Sequence, residues 1–128
     1  MSAQPELDAL APELRARLQQ GEHERVAAEL AAAGGHRTAA VVLEQIWEFV
    51  GAAAQWRAAG EPVRALEAAL RSETPLAIDE AIAAFEAIDD AATLAAAAAR
   101  LTRRKRHHDA ARLLARASDE PAARAQAL

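Results

Sequence analysis

The strongest candidate for binding chemistry in this sequence is a cluster of cationic side chains between residues 100 and 112. The segment holds six Lys or Arg residues and one acid, Asp109, so its local charge is +5. Because the formal charge of the whole chain is −4, all other residues together carry −9. Such a patch suits a phosphate or an acidic protein surface. The candidate partner-binding residues in it are Arg100, Arg103, Arg104, Lys105 and Arg106.

Three interpretations of this cluster stay open. Cations near the last turn of a helix interact favourably with the negative end of the helix dipole and with unpaired carbonyl groups, so the cluster is also typical of a plain helix end. An acidic protein partner is the second interpretation. Nucleic acid is the least favoured, because the sequence pI is about 5.6, the chain has no Tyr, and no Phe or Trp lies near the cluster to stack on bases.

The remaining polar residues show no catalytic or metal-binding pattern. The histidines are His23, His36, His107 and His108. They lack the spacing of helical zinc motifs, and the chain contains no Cys. Acid pairs such as Asp89–Asp90 lie at predicted helix starts, where carboxylates favour the dipole. No Ser lies in a nucleophile motif, and no glycine-rich phosphate loop occurs. We therefore predict no enzyme, no metal, no cofactor and no small-molecule substrate.

Two tryptophans are candidates for anchoring a partner, since this residue is enriched at interface hot spots. Trp47 and Trp56 are nine positions apart, which is about 900° around a helix. If one helix carries both, they lie on opposite sides of it, with one in the core and the other facing a second layer or a groove. Core packing is the simpler interpretation for each ring. Trp56 is retained as a candidate partner-binding residue.

Composition predicts an all-α protein. The chain has 128 residues, of which 39 are alanine and only 3% are aromatic. Alanine favours helices, is depleted in strands, and buries little area, so the core must be thin and the backbones close together. The lack of Cys and of a long apolar run excludes disulfide scaffolds and membrane-spanning helices. The high Arg and Ala content fits a GC-rich genome, and we expect one domain, residues 1–128, of a bacterial cytoplasmic protein.

Glycine and proline divide the chain into seven or eight predicted helices joined by short turns. The first carries a leucine stripe and ends at Gly21, and the second ends at Gly34. The third is expected to run from His36 through a kink at Gly51 to Gly60, and to be buried on most sides. Further helices are predicted at 62–72, 75–88, 90–104, 107–117 and 120–127.

A repeated pattern surrounds the turns at Gly34, Gly60 and Lys105. Each turn follows a bulky residue by four positions and precedes a small residue by five, and an apolar-rich helix comes after it. The bulky residues are Leu30, Trp56 and Leu101, and the small ones are Ala39, Ala65 and Ala110. The bulky side chain fills the space between paired helices, and the small one lets the second helix approach the first.

This pattern resembles tetratricopeptide-type helical repeats over roughly residues 26–117. In the Trp56 unit the motif positions are Ala53, Trp56, Ala65 and Ala69. In the last unit they are Ala98, Leu101, Ala110 and Leu114, with Lys105 in place of the usual glycine and Pro121 near the motif's trailing proline. The turns are 26 and 45 residues apart, whereas the family repeats about every 34. The first interval is expected to be too short for two full helices, and the second to contain an extra helix.

The resemblance implies antiparallel hairpins stacked as a short, irregular α-solenoid, with a plain alanine-rich bundle as the alternative. Solenoid modules bind protein partners along a concave face or assemble with copies of themselves. The sequence therefore predicts a non-catalytic interaction or scaffold module. Because the last residues are alanine-rich, without a polar capping repeat, we expect the chain to be the N-terminal part of a longer solenoid. A small anion- or nucleic-acid-binding helical protein that uses residues 100–112 is the alternative function.

Overall fold

The computed structural model describes residues 5–118, and all regular structure in this range is helical. It contains nine α-helices and a 3-10 turn at Ala84–Ala87. The helices are α1 (Pro5–Asp8), α2 (Pro12–Gln19), α3 (His23–Ala32), α4 (His36–Gln45), α5 (Phe49–Ala58), α6 (Pro62–Ser72), α7 (Pro75–Ala83), α8 (Ala91–Arg103) and α9 (His107–Ser118). No strand occurs between residues 5 and 118, and the all-α prediction is confirmed. The predicted helix at 120–127, with Pro121, lies outside the described residues.

Seven of the predicted helices lie within residues 5–118, and two of them are each divided in two, which gives the nine helices of this range. The first breaks between α1 and α2, because Pro12 lacks an amide hydrogen and its ring disfavours the helical conformation at Ala11, whose ψ is 145°. The third was expected to kink at Gly51. It instead ends at Gln45, and a new helix begins at Phe49. The prediction that this third helix is buried on most sides is also wrong, because Trp47 and Val50 are exposed.

Within residues 5–118, five turns share one hydrogen-bond pattern, and each contains one residue of positive φ. In each, the amide that follows this residue donates to the carbonyl five positions earlier, which closes a Schellman motif. The positive-φ residues are Gly21, Gly34, Trp47, Gly60 and Lys105. The turns predicted at Gly34, Gly60 and Lys105 are confirmed. The turn at Trp47 was not predicted, because its sequence contains no glycine at the positive-φ position.

A period of thirteen residues runs through the middle of the chain. Helices α3 to α7 begin at His23, His36, Phe49, Pro62 and Pro75, so each starts thirteen residues after the one before. Each period holds a short helix and its turn. The interval of 26 residues between Gly34 and Gly60 therefore contains two helices, α4 and α5, and the expectation that it was too short is wrong. The period ends after α7, where the 3-10 turn intervenes.

The core lies between consecutive helices, and alanine lines their closest contacts. Each helix from α3 to α6 packs on the next one in the chain, as α8 does on α9. The small residue five positions after a turn is buried in every predicted case: Ala39 and Ala65 are 0% exposed and Ala110 is 3% exposed. The same position after the Trp47 turn holds Ala52, also 0% exposed. The largest fully buried side chains are Trp56, Phe85, Leu66, Leu94, Leu101, Val26 and Val42.

Lys105 and Gly60 occupy the same position in equivalent turns. Exchanging lysine for glycine at one and glycine for alanine at the other should therefore change the free energy of unfolding in opposite directions. Replacing Lys105 by glycine should raise the free energy of unfolding by about 1 kcal/mol, because left-handed backbone costs an L-residue roughly 1–2 kcal/mol. Gly60→Ala should lower it by a similar amount. A Cβ at Gly60 would meet no atom within 4 Å, so the effect is one of backbone conformation alone. Urea unfolding measures both, and shifts of the same sign would contradict the prediction.

Candidate partner-binding groove

Two adjoining pockets form a groove across α4, α5, α6 and α8. The larger, of about 270 Å³, is lined by Val41, Glu44, Trp56, Arg64, Glu67, Ala68 and Arg71. The smaller, of about 110 Å³, is lined by Glu67, Leu70, Arg71, Arg100, Arg103 and Arg104. Because Glu67 and Arg71 line both pockets, we treat them as one surface and call it the basic groove.

Helical periodicity explains how the arginines converge on the basic groove. In α6, Arg64, Glu67 and Arg71 stand at positions i, i+3 and i+7, which lie on one face of a helix. In α8, Arg100 and Arg103 are three positions apart in the last turn, where cations also favour the helix dipole. The α6 arginines were not among the predicted site residues. Their seven-residue spacing was the signal that could have revealed them.

Several of the arginines that line the groove have no carboxylate partner within residues 5–118. Arg100 pairs with Glu67 at 3.5 Å, and Arg104 donates to the carbonyl of Leu70 at 3.4 Å. Among residues 5–118, Arg64, Arg71 and Arg103 form no ion pair. Five arginines and two glutamates line the groove in all. The surface can therefore accept carboxylates or phosphates from a ligand.

Trp56 forms the floor of the basic groove and does not protrude from it. The residue is 2% exposed, and its Nε1 donates a hydrogen bond to the Glu44 carboxylate at 2.8 Å. The guanidinium of Arg64 lies 4.7 Å from the ring centroid, and that of Arg37 lies 5.8 Å away. The hydrogen bond that Arg37 donates to the Glu61 carboxylate raises the pKa of Arg37 above its ordinary value. The expectation that Trp56 anchors a partner does not fit this burial, and its place is in the core.

Trp47, and not Trp56, is the indole exposed to solvent. It is 75% exposed, because α4 ends before it and the turn carries it out of the core. Its ring packs edge to face on Phe49, with centroids 5.7 Å apart. The guanidinium of Arg71 lies 4.3 Å from the Phe49 ring and 6.0 Å from the Trp47 ring. Arg71 thus joins the basic groove to an exposed aromatic surface at one end.

The predicted basic cluster is divided by the structure into two parts. Arg100, Arg103 and Arg104 line the basic groove. Arg106 lies beyond it and pairs with Asp109 at 3.1 Å, and Arg112 lies 3.7 Å from the same carboxylate. Lys105 occupies the positive-φ position of the turn between α8 and α9 and is exposed. The second part therefore matches the interpretation of the cluster as an ordinary helix end.

The histidines and acids do not converge on a reactive site in the part of the chain described here. Between residues 5 and 118, no group of three or more His, Asp or Glu residues could hold a metal ion. His36 lies 2.8 Å from the Gln55 side-chain oxygen, and His107 and His108 are exposed. Asp90 caps α8 as predicted, because it accepts a 2.9 Å hydrogen bond from the Thr93 amide. Its bonds to Thr93 hold the pKa of Asp90 below the ordinary value.

Comparison with known proteins finds no matching family model, and no significantly similar curated protein or solved structure. Among the helices of residues 5–118, none has both the length and the apolar character needed to cross a bilayer.

Proposed function

We propose that this chain is a non-catalytic protein–protein interaction module of tetratricopeptide-like α-solenoid type, whose basic groove binds an acidic segment of a partner. The observation that carries the proposal is the convergence on one groove of five arginines, two from α6 and three from the end of α8 and the turn after it. Three of them, Arg64, Arg71 and Arg103, form no ion pair within residues 5–118, so partner carboxylates would meet little internal competition.

The packing order of the helices supports the solenoid part of the proposal. In a solenoid each unit contacts mainly its neighbours in the chain. Here most contacts join consecutive helices; the main exceptions are α5 with α7 and α6 with α8, two helices apart, and α1 with α4, three helices apart. The constant thirteen-residue step from α3 to α7 gives a hairpin repeat of 26 residues. This step is shorter than that of tetratricopeptide arrays, so the proposed likeness concerns the manner of packing and not the repeat length.

One structural feature supports the alternative, which is binding of nucleic acid or another anion. Trp47 lies exposed beside Arg71, where a base could stack. Against it, Glu44 and Glu67 line the same groove and would repel a continuous phosphate backbone. The net charge of −4 also opposes nucleic acid binding. We therefore favour a protein segment, whose carboxylates can be placed opposite individual arginines.

A charge-reversal pair tests the proposal. In Arg64→Glu/Arg103→Glu, binding of a fluorescent Glu- and Asp-rich peptide should weaken by about tenfold or more, because two attractive charges become repulsive. The matched control, Arg15→Glu/Arg25→Glu, makes the same change in net charge at exposed positions outside the groove and should leave the affinity close to that of the wild type. Fluorescence anisotropy at low and physiological salt measures the affinity.

The same assay decides between the two ligand classes. A single-stranded oligonucleotide of equal charge serves as the second probe. Equal weakening by both double variants would show that the peptide responds only to net charge, and the groove proposal would fail. Tighter binding of the oligonucleotide than of the peptide, with a steep dependence on salt, would favour the nucleic-acid alternative.

A further inference from the structure

The turn between α4 and α5 holds a tryptophan where three of the four equivalent turns hold glycine. Trp47 has a φ of 62°, a conformation that bulky L-residues rarely adopt. Its side chain is also 75% exposed, so burial does not compensate for the backbone conformation. Glycine would suit this backbone conformation better, so the turn itself does not require an indole at this position. A strained, exposed residue held in place by its surroundings points to a functional surface.

Most of the exposed large apolar side chains in the described part of the chain belong to the same end of the molecule as Trp47. Arg71, in the last turn of α6, contacts the Phe49 ring at the start of α5, and α7 begins four residues further on. The turn from α4 to α5 and the turn from α6 to α7 therefore lie at one end. Of the five exposed large apolar residues, four lie at these two turns: Ile46, Trp47, Val50 and Leu76. We call these four residues the apolar edge.

The apolar edge presents a preorganised ring and an isolated aliphatic side chain. Trp47 is held by the edge-to-face contact with Phe49, which is itself 5% exposed. Leu76 is 68% exposed in the first turn of α7. Apolar surface gathered in one place on a soluble protein marks a contact site. An aromatic ring that is already oriented loses little conformational freedom when it is covered.

Charges of both signs flank the apolar edge. Arg71 stands over the aromatic rings, while Glu73 and Asp79 lie on either side of Leu76 in the chain. All three side chains are exposed, and none forms an ion pair within residues 5–118. The aromatic ring thus lies beside a cation, and the leucine lies beside carboxylates. When a second copy is turned by 180°, ring meets leucine and cation meets carboxylates, so the surface is complementary to itself.

We infer that the apolar edge is a self-association surface, on which Trp47 of one copy packs against Leu76 of a second copy. Because both groups lie at one end of the molecule, a two-fold axis brings each Trp47 to the other copy's Leu76, which is an isologous contact. The same axis turns Arg71 of one copy towards the acids that flank Leu76 in the other. The surface is small, so the dimer is a weak, reversible one.

Sedimentation velocity over a range of protein concentrations tests this inference. The wild type should show a reversible monomer–dimer equilibrium. Trp47→Gly and Leu76→Ala should each raise the dimer dissociation constant by about tenfold or more. A one-to-one mixture of the two variants should dimerise more tightly than either alone, because the mixed dimer keeps one of the two reciprocal contacts. Leu114→Ala is the matched control, since Leu114 is 47% exposed but lies in α9.

Several outcomes would overturn the inference. A wild type that stays monomeric at all concentrations would do so, as would a dimer that neither substitution weakens. Oligomers larger than a dimer would indicate a head-to-tail contact and contradict the two-fold contact. If the wild type is monomeric and its apolar edge binds an unrelated acidic protein, that protein, and not a second copy of the chain, is the partner at this surface. Circular dichroism melts accompany each variant, and Trp47→Gly should melt no lower than the wild type because glycine suits the turn. None of these results depends on whether the basic groove binds a peptide.

Discussion

Replacing Trp56 by alanine should lower the free energy of unfolding by about 3–5 kcal/mol. The indole is 2% exposed and is the largest fully buried side chain in residues 5–118, in a core otherwise rich in alanine. Small neighbours cannot close the resulting cavity, because an alanine has no side-chain freedom with which to fill it. The substitution also leaves the Glu44 carboxylate without its 2.8 Å hydrogen bond from Nε1. The loss is a large fraction of the roughly 5–15 kcal/mol by which folded domains are stable.

Trp47→Ala is the matched control, because it removes the same side chain from an exposed position. Urea unfolding followed by circular dichroism gives both values, and Trp47→Ala should change the free energy of unfolding by less than about 1 kcal/mol. Equal losses in the two variants would contradict the assignment of Trp56 to the core and of Trp47 to the surface. Trp56→Phe should fall between Trp56→Ala and the wild type, since it keeps most of the apolar volume and loses the hydrogen bond.

The second large effect is expected where alanine permits helices to approach closely. Ala52→Leu should lower the free energy of unfolding by about 1–3 kcal/mol, because added methylene groups force off-rotamer side chains or shift the backbone in a packed interior. Ala52 is 0% exposed and stands five residues after the turn at Trp47, at the position that Ala39, Ala65 and Ala110 occupy after the turns predicted from the sequence. The four sites should therefore behave alike.

Ala54→Leu provides the control, since Ala54 lies in the same helix and is exposed. Leucine has nearly the helix propensity of alanine, so the control should stay within about 0.5 kcal/mol of the wild type. Chemical unfolding of the two variants side by side measures the difference. If Ala52→Leu were as stable as the control, the helices would not be in close contact at this position, and the repeated small residue would have no packing role.

Much of the local structure could be predicted from residue types alone. Glycine at positions 34 and 60 marks two turns, and Pro62 and Pro75 mark helix starts, because each acts through its own backbone. The turn at Trp47 could not be predicted in this way. Its Schellman hydrogen bonds are made entirely by backbone groups, and the residue that adopts positive φ is one that ordinarily avoids it. Because this one turn was not predicted, neither the thirteen-residue step nor the exposure of Trp47 could be predicted.

The candidate site was only partly predictable, because it combines residues far apart in the chain. Arg100, Arg103 and Arg104 stood out as a local run of charge. Arg64 and Arg71 did not, since neither has a cation beside it in the sequence and their place in the groove depends on packing between helices. The burial of Trp56 likewise depends on α4, which supplies the carboxylate that pairs with the indole. The arginines that line the groove can be distinguished from the helix-end cluster around Asp109 only by their contacts with other helices, and not by the local sequence.

The most direct test of the proposed function follows the two indole N–H signals by NMR during titration with the Glu- and Asp-rich peptide. Trp56 lies at the floor of the basic groove and Trp47 lies beyond Arg71, so each signal reports on a different surface. The proposal predicts a saturable shift of the Trp56 signal, together with shifts of backbone amides in α4, α6 and α8 and none in α3. An unchanged Trp56 signal at saturating peptide, or shifts confined to α3 and α9, would contradict it.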